Sequence, residues 1–175
     1  MEKLQFENQY KTLCNTLIAE QNSNGFWTGK LSSSALAAAV SIVAIKLKGI
    51  PNHEERVNKG LQWLFSNINI DGGYGDTPES ESNVSTSFLC YAAITFCQTK
   101  EFDGSKVLKG IEDYLESQNI SLKSGNISKS VLDHYGKDYT FSVPILSMLT
   151  ICGMLGDEDI QKVPQLPFEF TLLPA

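Results

Sequence analysis

The side chains of this sequence that could do chemistry are scattered, and few stand at a spacing that a reaction needs. The carboxylates gather as Glu54-Glu55, Glu79 with Glu81, Glu112-Asp113 with Glu116, and Asp157-Glu158-Asp159. Each group lies in a polar run and reads as solvated surface. Asp71 precedes two glycines, where a short polar side chain that bonds its own backbone makes a turn. His53 and His134 have no cysteine or carboxylate at ligand spacing, so neither reads as a metal ligand or a base. Ser32, Ser33 and Ser34 lack a GxSxG setting and read as a helix cap, not a nucleophile. The run Gly72-Gly73-Tyr74-Gly75 has no strand before it and no lysine after it, so it is no phosphate cradle. Cys14, Cys90, Cys97 and Cys152 are widely spread with no CxxC, which predicts reduced, buried thiols in a cytosolic protein. Cys90 and Cys97 fall two turns apart on one face of an apolar segment, a packing arrangement. Trp27, Trp63, Tyr74 and Tyr114 read as aromatics that pack elements together. The expectation is no catalytic residue, no cofactor and no metal.

Composition narrows the partners. The chain has 175 residues, 42% of them hydrophobic, with 14 Lys+Arg against 20 Asp+Glu and a net charge of −6. Arg56 is its single arginine, so a nucleic-acid backbone is a poor partner. The length fits one domain over 1–175, or one piece of a larger whole, and suffices for a core without staples. The start, Met1 to Asn8, has no apolar stretch of the secretory kind. The longest apolar run, 35–45 broken by Ser41, falls short of the roughly 20 residues that span a bilayer. These features predict a soluble, cytoplasmic chain.

The elements that must position these residues are helices. Phe6, Tyr10, Leu13, Leu17 and Ile18 form one apolar stripe at helical spacing. Val57, Leu61, Leu64, Phe65 and Ile68 form a second, and Val107, Leu108, Ile111, Tyr114 and Leu115 a third. Between them lie 35–47, 88–97 and 141–155, apolar nearly all round, as helices buried on most faces are. Ser32 to Ser34, Ser85-Thr86 and Thr140 precede these and are placed to cap them. A further short helix is expected over 127–134, and no run of strands is visible. Amphipathic and buried helices thus alternate, as an α/α barrel with an outer and an inner ring requires. The breaks repeat too: Asn22-Ser23-Asn24-Gly25 ends the first amphipathic helix and Asp71-Gly72-Gly73 the second. Gly25 and Gly72 stand 47 residues apart, as do Trp27 and Tyr74.

Two segments carry a family likeness. Gln21, Gly25 and Trp27 in the first turn, and Trp63 leading to Asp71-Gly72-Gly73-Tyr74 in the second, resemble the QW repeats of the squalene–hopene cyclase and oxidosqualene cyclase family, the class II triterpene cyclases. The stretch Val163-Pro164-Gln165-Leu166-Pro167-Phe168-Glu169 resembles another segment from the N-terminal half of that family. The second repeat departs from the pattern, with Ile68 in place of glutamine and Tyr74 in place of tryptophan, and Gln118 in the third is out of register.

The resemblance implies an all-α fold, a partial α/α barrel or toroid, in which the repeat glutamine stacks on the tryptophan. For a complete family member it implies cyclisation of a linear isoprenoid such as squalene, started by a strong acid and without a metal. The acid motif, Asp-x-Asp-Asp, belongs to a second barrel; Asp157-Glu158-Asp159 is followed by Ile160 and is not that motif. The expectation is therefore a piece with no catalysis of its own, partnered by a second barrel in the same or another chain. Peripheral membrane association is implied for the parent. A non-catalytic toroid used for binding or scaffolding fits the missing acid equally well. A protein prenyltransferase β-subunit relative ranks third, because no Asp, Cys and His zinc trio is evident. Inner helices such as 35–47 should expose apolar flanks in an incomplete barrel, which predicts self-association.

Overall fold

The computed structural model describes residues 2–122 and 126–164, so most of the stretch from Val163 to Glu169 lies outside the described residues. Among the described residues there are eight helices and no strand. The chain divides into two units, Met1–Ser32 and Ser33–Ala175.

The first unit is α1 (Glu2–Ala19) and the turn after it. Thr12 and Thr16 donate to the carbonyls four residues earlier, which satisfies their hydroxyls within the helix. The predicted stripe of Phe6, Tyr10, Leu13, Leu17 and Ile18 is present and exposed.

The second unit holds α2 (Ala35–Lys48), α3 (His53–Ser66), α4 (Val84–Cys97), α5 (Ser105–Ser117), α6 (Ile127–Tyr135), α7 (Tyr139–Ile151) and α8 (Asp157–Ile160). Its centre is α4, which packs against α2, α3, α5 and α7. Helices α2 and α7 are its apolar neighbours, while α3 and α5 lay one apolar stripe each against the core. Small residues set the spacing. Ala35 and Ala39 are buried in α2, and the Cys90 thiol reaches the Ala35 carbonyl at 3.7 Å. On α3, a Cβ at Gly60 would stand 2.2 Å from Ile42 of α2, so that pair approaches too closely for a larger residue.

Three sequence expectations are corrected. Ser34 caps α2 by accepting from the Ala37 amide, but α4 is capped by Asn83 and α7 by Asp138, not by Ser85-Thr86 and Thr140. Asn and Asp cap as well as serine does, and their use starts both helices earlier, leaving Ser85, Thr86 and Thr140 inside the first turn. Helix α7 then ends at Ile151, and Leu155 is buried beyond it. The third correction is Asp159, which is 1% exposed while Asp157 and Glu158 are at the surface. Its carboxylate accepts from the Ser128 amide at 3.2 Å and its carbonyl from the Ser128 hydroxyl at 2.8 Å. An acidic side chain at the N-terminus of α6 suits the helix dipole and ties α8 to α6.

Candidate functional site

The residues singled out in the sequence build two turns of the same design. In the first, the Asn22 amide donates to Phe26 at 2.9 Å and the Gly25 amide to Asn22 at 3.0 Å. In the second, Asn69 donates to Gly73 at 3.0 Å and Gly72 to Asn69 at 3.0 Å. Every partner is displaced by 47 residues, and the glycines hold φ of 82° and 85°. The aromatics repeat as well. The Trp27 indole donates to the Leu17 carbonyl at 2.6 Å, and the Tyr74 hydroxyl to Leu64 at 2.8 Å, each ten residues back. Both acceptors lie in the last turn of a helix, and each also accepts one backbone amide, from Glu20 at 3.3 Å on Leu17 and from Asn67 at 3.0 Å on Leu64. The ring that follows each turn therefore closes the helix before it.

The Gln21 side-chain amide donates to the Gly25 carbonyl at 2.7 Å, within its own turn. Asp71 accepts from the Gly73 amide at 3.0 Å and the Ser82 hydroxyl at 2.7 Å, which folds the following loop onto the turn. Trp63 is half-buried against the core, and its carbonyl accepts from Asn67 at 2.7 Å. The left-handed position occurs a third time at Asn119, 47 residues after Gly72, with φ of 62° and its amide on Glu116 at 2.9 Å.

Two of these glycines are needed for closeness to neighbours. A Cβ on Gly72 would lie 2.3 Å from the Gly110 carbonyl oxygen of α5, and one on Gly73 would meet Ser82 at 2.6 Å. The glycine run thus serves packing between the turn, its loop and α5.

A groove of about 600 Å³ opens where the first turns of α2, α4 and α7 come together. Leu36, Leu89, Phe141, Pro144 and Ile145 make its apolar wall. Tyr135 and Phe141 stack at 5.8 Å with planes 22° apart, and His134 meets Tyr135 edge-on at 4.9 Å. The Tyr135 and Ser85 hydroxyls share a hydrogen bond of 2.6 Å. Asp76 lines the same groove; its Oδ1 accepts from the Asn83 amide at 2.8 Å and the Thr86 hydroxyl at 3.0 Å. Sequence reading missed Asp76, Tyr135 and this use of Phe141. Phe141 stands in the first turn of α7, Tyr135 at the end of α6 and Asp76 in the loop before α4, and no local pattern joins the three.

A second hollow, of about 470 Å³, lies at the other ends of α2 and α4. Here Lys46 donates to the Phe96 carbonyl at 2.6 Å and sits 4.9 Å from that ring's centre. His53, Glu54 and Cys97 line this hollow with Lys100 and Glu101, a mixture of charges. Burial pushes the Cys97 and Cys152 thiols up to about 11 and the Cys90 thiol higher still. It likewise raises the Tyr91 hydroxyl to about 12, with its hydrogen bond to Glu112 adding to the effect. Among the described residues no three His, Cys, Asp or Glu side chains gather where a metal could sit.

Helices joined by recurring glycine turns, with no strand among the described residues, define an all-α, toroid-like class of domain. Residues 11–100 match the squalene-hopene cyclase N-terminal domain family, and the chain belongs to that family. The matched segment contains both of the equivalent turns. The chain is also 27% identical over 109 residues to squalene–hopene cyclase of Bradyrhizobium diazoefficiens, an alignment covering 57% of this chain and 16% of that protein. The match thus spans about a sixth of that relative's length. No solved structure gives a significant match.

Proposed function

We propose that this chain is wall and support in a squalene–hopene-cyclase-like protein, one partial α/α barrel over 1–175 that does no chemistry by itself. The observation that carries the reading is the 47-residue recurrence of the turn and its ring-to-carbonyl bond inside the family segment. A barrel wall needs such a unit, because each outer helix must end and return to an inner one at a fixed angle. Gln21, Gly25, Trp27, Trp63, Asp71, Gly72, Gly73 and Tyr74 act here as structural repeat residues, not as substrate contacts.

For the parent the reading is cyclisation of a linear isoprenoid such as squalene, by acid-started carbocation chemistry without metal or cofactor. Protonating an alkene needs an acid enclosed away from water, with aromatic faces beside it. Asp76, the carboxylate of the groove, is exposed to solvent and does not meet that need. The acid would come from a second barrel, in the same chain or a partner. The place of action would be the cytoplasm, with peripheral membrane association; among the described residues no helix is long and apolar enough to cross a membrane. A second reading, a toroid module kept for binding or scaffolding, draws support from the groove, which offers a lined cavity without an enclosed acid.

The test is to incubate squalene with the isolated chain and, in parallel, with the native product in which the chain occurs, and to analyse the hydrocarbons formed. The reading expects no conversion by the isolated chain and a cyclised triterpene from the native product. Turnover by the isolated chain contradicts the supporting role, and an inert native product favours the scaffold.

A further inference from the structure

We propose that the groove between the first turns of α2, α4 and α7 binds an apolar molecule carrying a protonated amine, with Asp76 as its counter-ion. The inference goes beyond the cyclase reading, whose substrate class is a neutral hydrocarbon, and does not depend on it.

The groove has the size of a small-molecule site, about 600 Å³, and its lining surface is mostly apolar. What sets it apart is its charge. Asp76 carries the one carboxylate among the lining residues, and no lysine or arginine lines the groove beside it. Asp76 takes part in no ion pair among the described residues. Its position is nevertheless held. Both side-chain bonds go to Oδ1, from Asn83 and Thr86, and Asn83 is itself fixed by its bond to the Thr86 amide at 2.8 Å. Among the described residues no donor reaches Oδ2. A carboxylate anchored through one oxygen, with the other open beside a hydrophobic wall, is pre-organised for a donor from outside.

The wall selects what carries that donor. Leu36, Leu89, Pro144 and Ile145 suit an alkyl or ring body, and the stacked Tyr135 and Phe141 add π faces that attract cations. An anion would meet Asp76 in a chain of net charge −6. A strongly hydrated small cation would leave the apolar wall unused. An amine on an apolar body uses both features.

The test is calorimetric titration of the full chain with decylamine, decanol and decanoate, each below its aggregation concentration. The proposal expects decylamine to bind at least about tenfold more tightly than decanol, and decanoate most weakly. Asp76→Asn keeps an oxygen acceptor for Asn83 and Thr86 and removes the charge. It is expected to bring decylamine to the level of decanol. Leu36→Trp, at a position already 39% exposed, narrows the groove without touching the Asp76 bonds and should weaken both ligands together. Equal affinity for amine and alcohol overturns the proposal. So does an amine preference that survives Asp76→Asn, since the overall acidity of the chain would then explain it. If Asp76→Asn does not fold, unchanged amine binding by Leu36→Trp overturns the location. None of these outcomes bears on squalene turnover by the native product, so the two readings fail separately.

Discussion

Tyr74 and Trp27 make the same bond to a helix-end carbonyl but in different surroundings, and their substitution separates the effect of burial from that of pattern. Tyr74 is buried, so Tyr74→Phe leaves the Leu64 carbonyl with the Asn67 amide alone and should cost about 1 kcal/mol in urea unfolding. Trp27 is half exposed and water can replace its indole at Leu17, so Trp27→Phe should cost less than about 0.5 kcal/mol. The thiols predict a pH dependence. Cys97 and Cys152, ordinarily near 9.0, are pushed up to about 11 by burial, so the folded state keeps protons that the unfolded state releases. Their contribution is intact below pH 9.0 and is lost as the pH rises toward about 11. Unfolding midpoints measured across that range should therefore fall with pH, and replacing both thiols by alanine should flatten the fall.

At the scale of elements, the two equivalent turns differ in what stands against them. Gly25 and Gly72 share the left-handed backbone, but only Gly72 meets a neighbour, the Gly110 carbonyl of α5. Gly25→Ala should thus cost about 1 kcal/mol of backbone strain. Gly72→Ala should cost about 3 kcal/mol or more, because α5 must also move. Similar losses for the two, read from denaturant midpoints, would contradict the described packing of the second turn on α5. Helix existence and the 47-residue turn spacing were legible in the sequence, because apolar periodicity and glycine position are local properties. The ends of α4 and α7 were less so. Asn83 and Asp138 compete with nearby serine and threonine for the cap, and only the backbone decides between them. Asp159 escaped for a related reason. Its burial comes from Ser128, which lies 31 residues earlier, and no local pattern announces such a partner. The groove was not legible, since it joins the starts of three helices that are distant in sequence.

For the whole molecule, a wall that lacks its neighbours should be sticky. Leu36, Val40 and Leu47 leave 39%, 42% and 56% of their surface exposed along α2, a helix otherwise apolar enough for a core. Sedimentation of the isolated chain should show concentration-dependent association, reduced by the double substitution Val40→Lys and Leu47→Glu. A monodisperse monomer that melts cooperatively would contradict this expectation. The proposed supporting role requires the chain to be one part of a larger cyclase-like protein; its aligned segment covers 16% of one such relative. The most direct measurement is the mass of the native product in its cell, together with the transcript read past Ala175. A frame that continues for several hundred residues and contains an Asp-x-Asp-Asp motif is expected. A native product that ends at Ala175 would contradict it and leave a free-standing toroid module in its place.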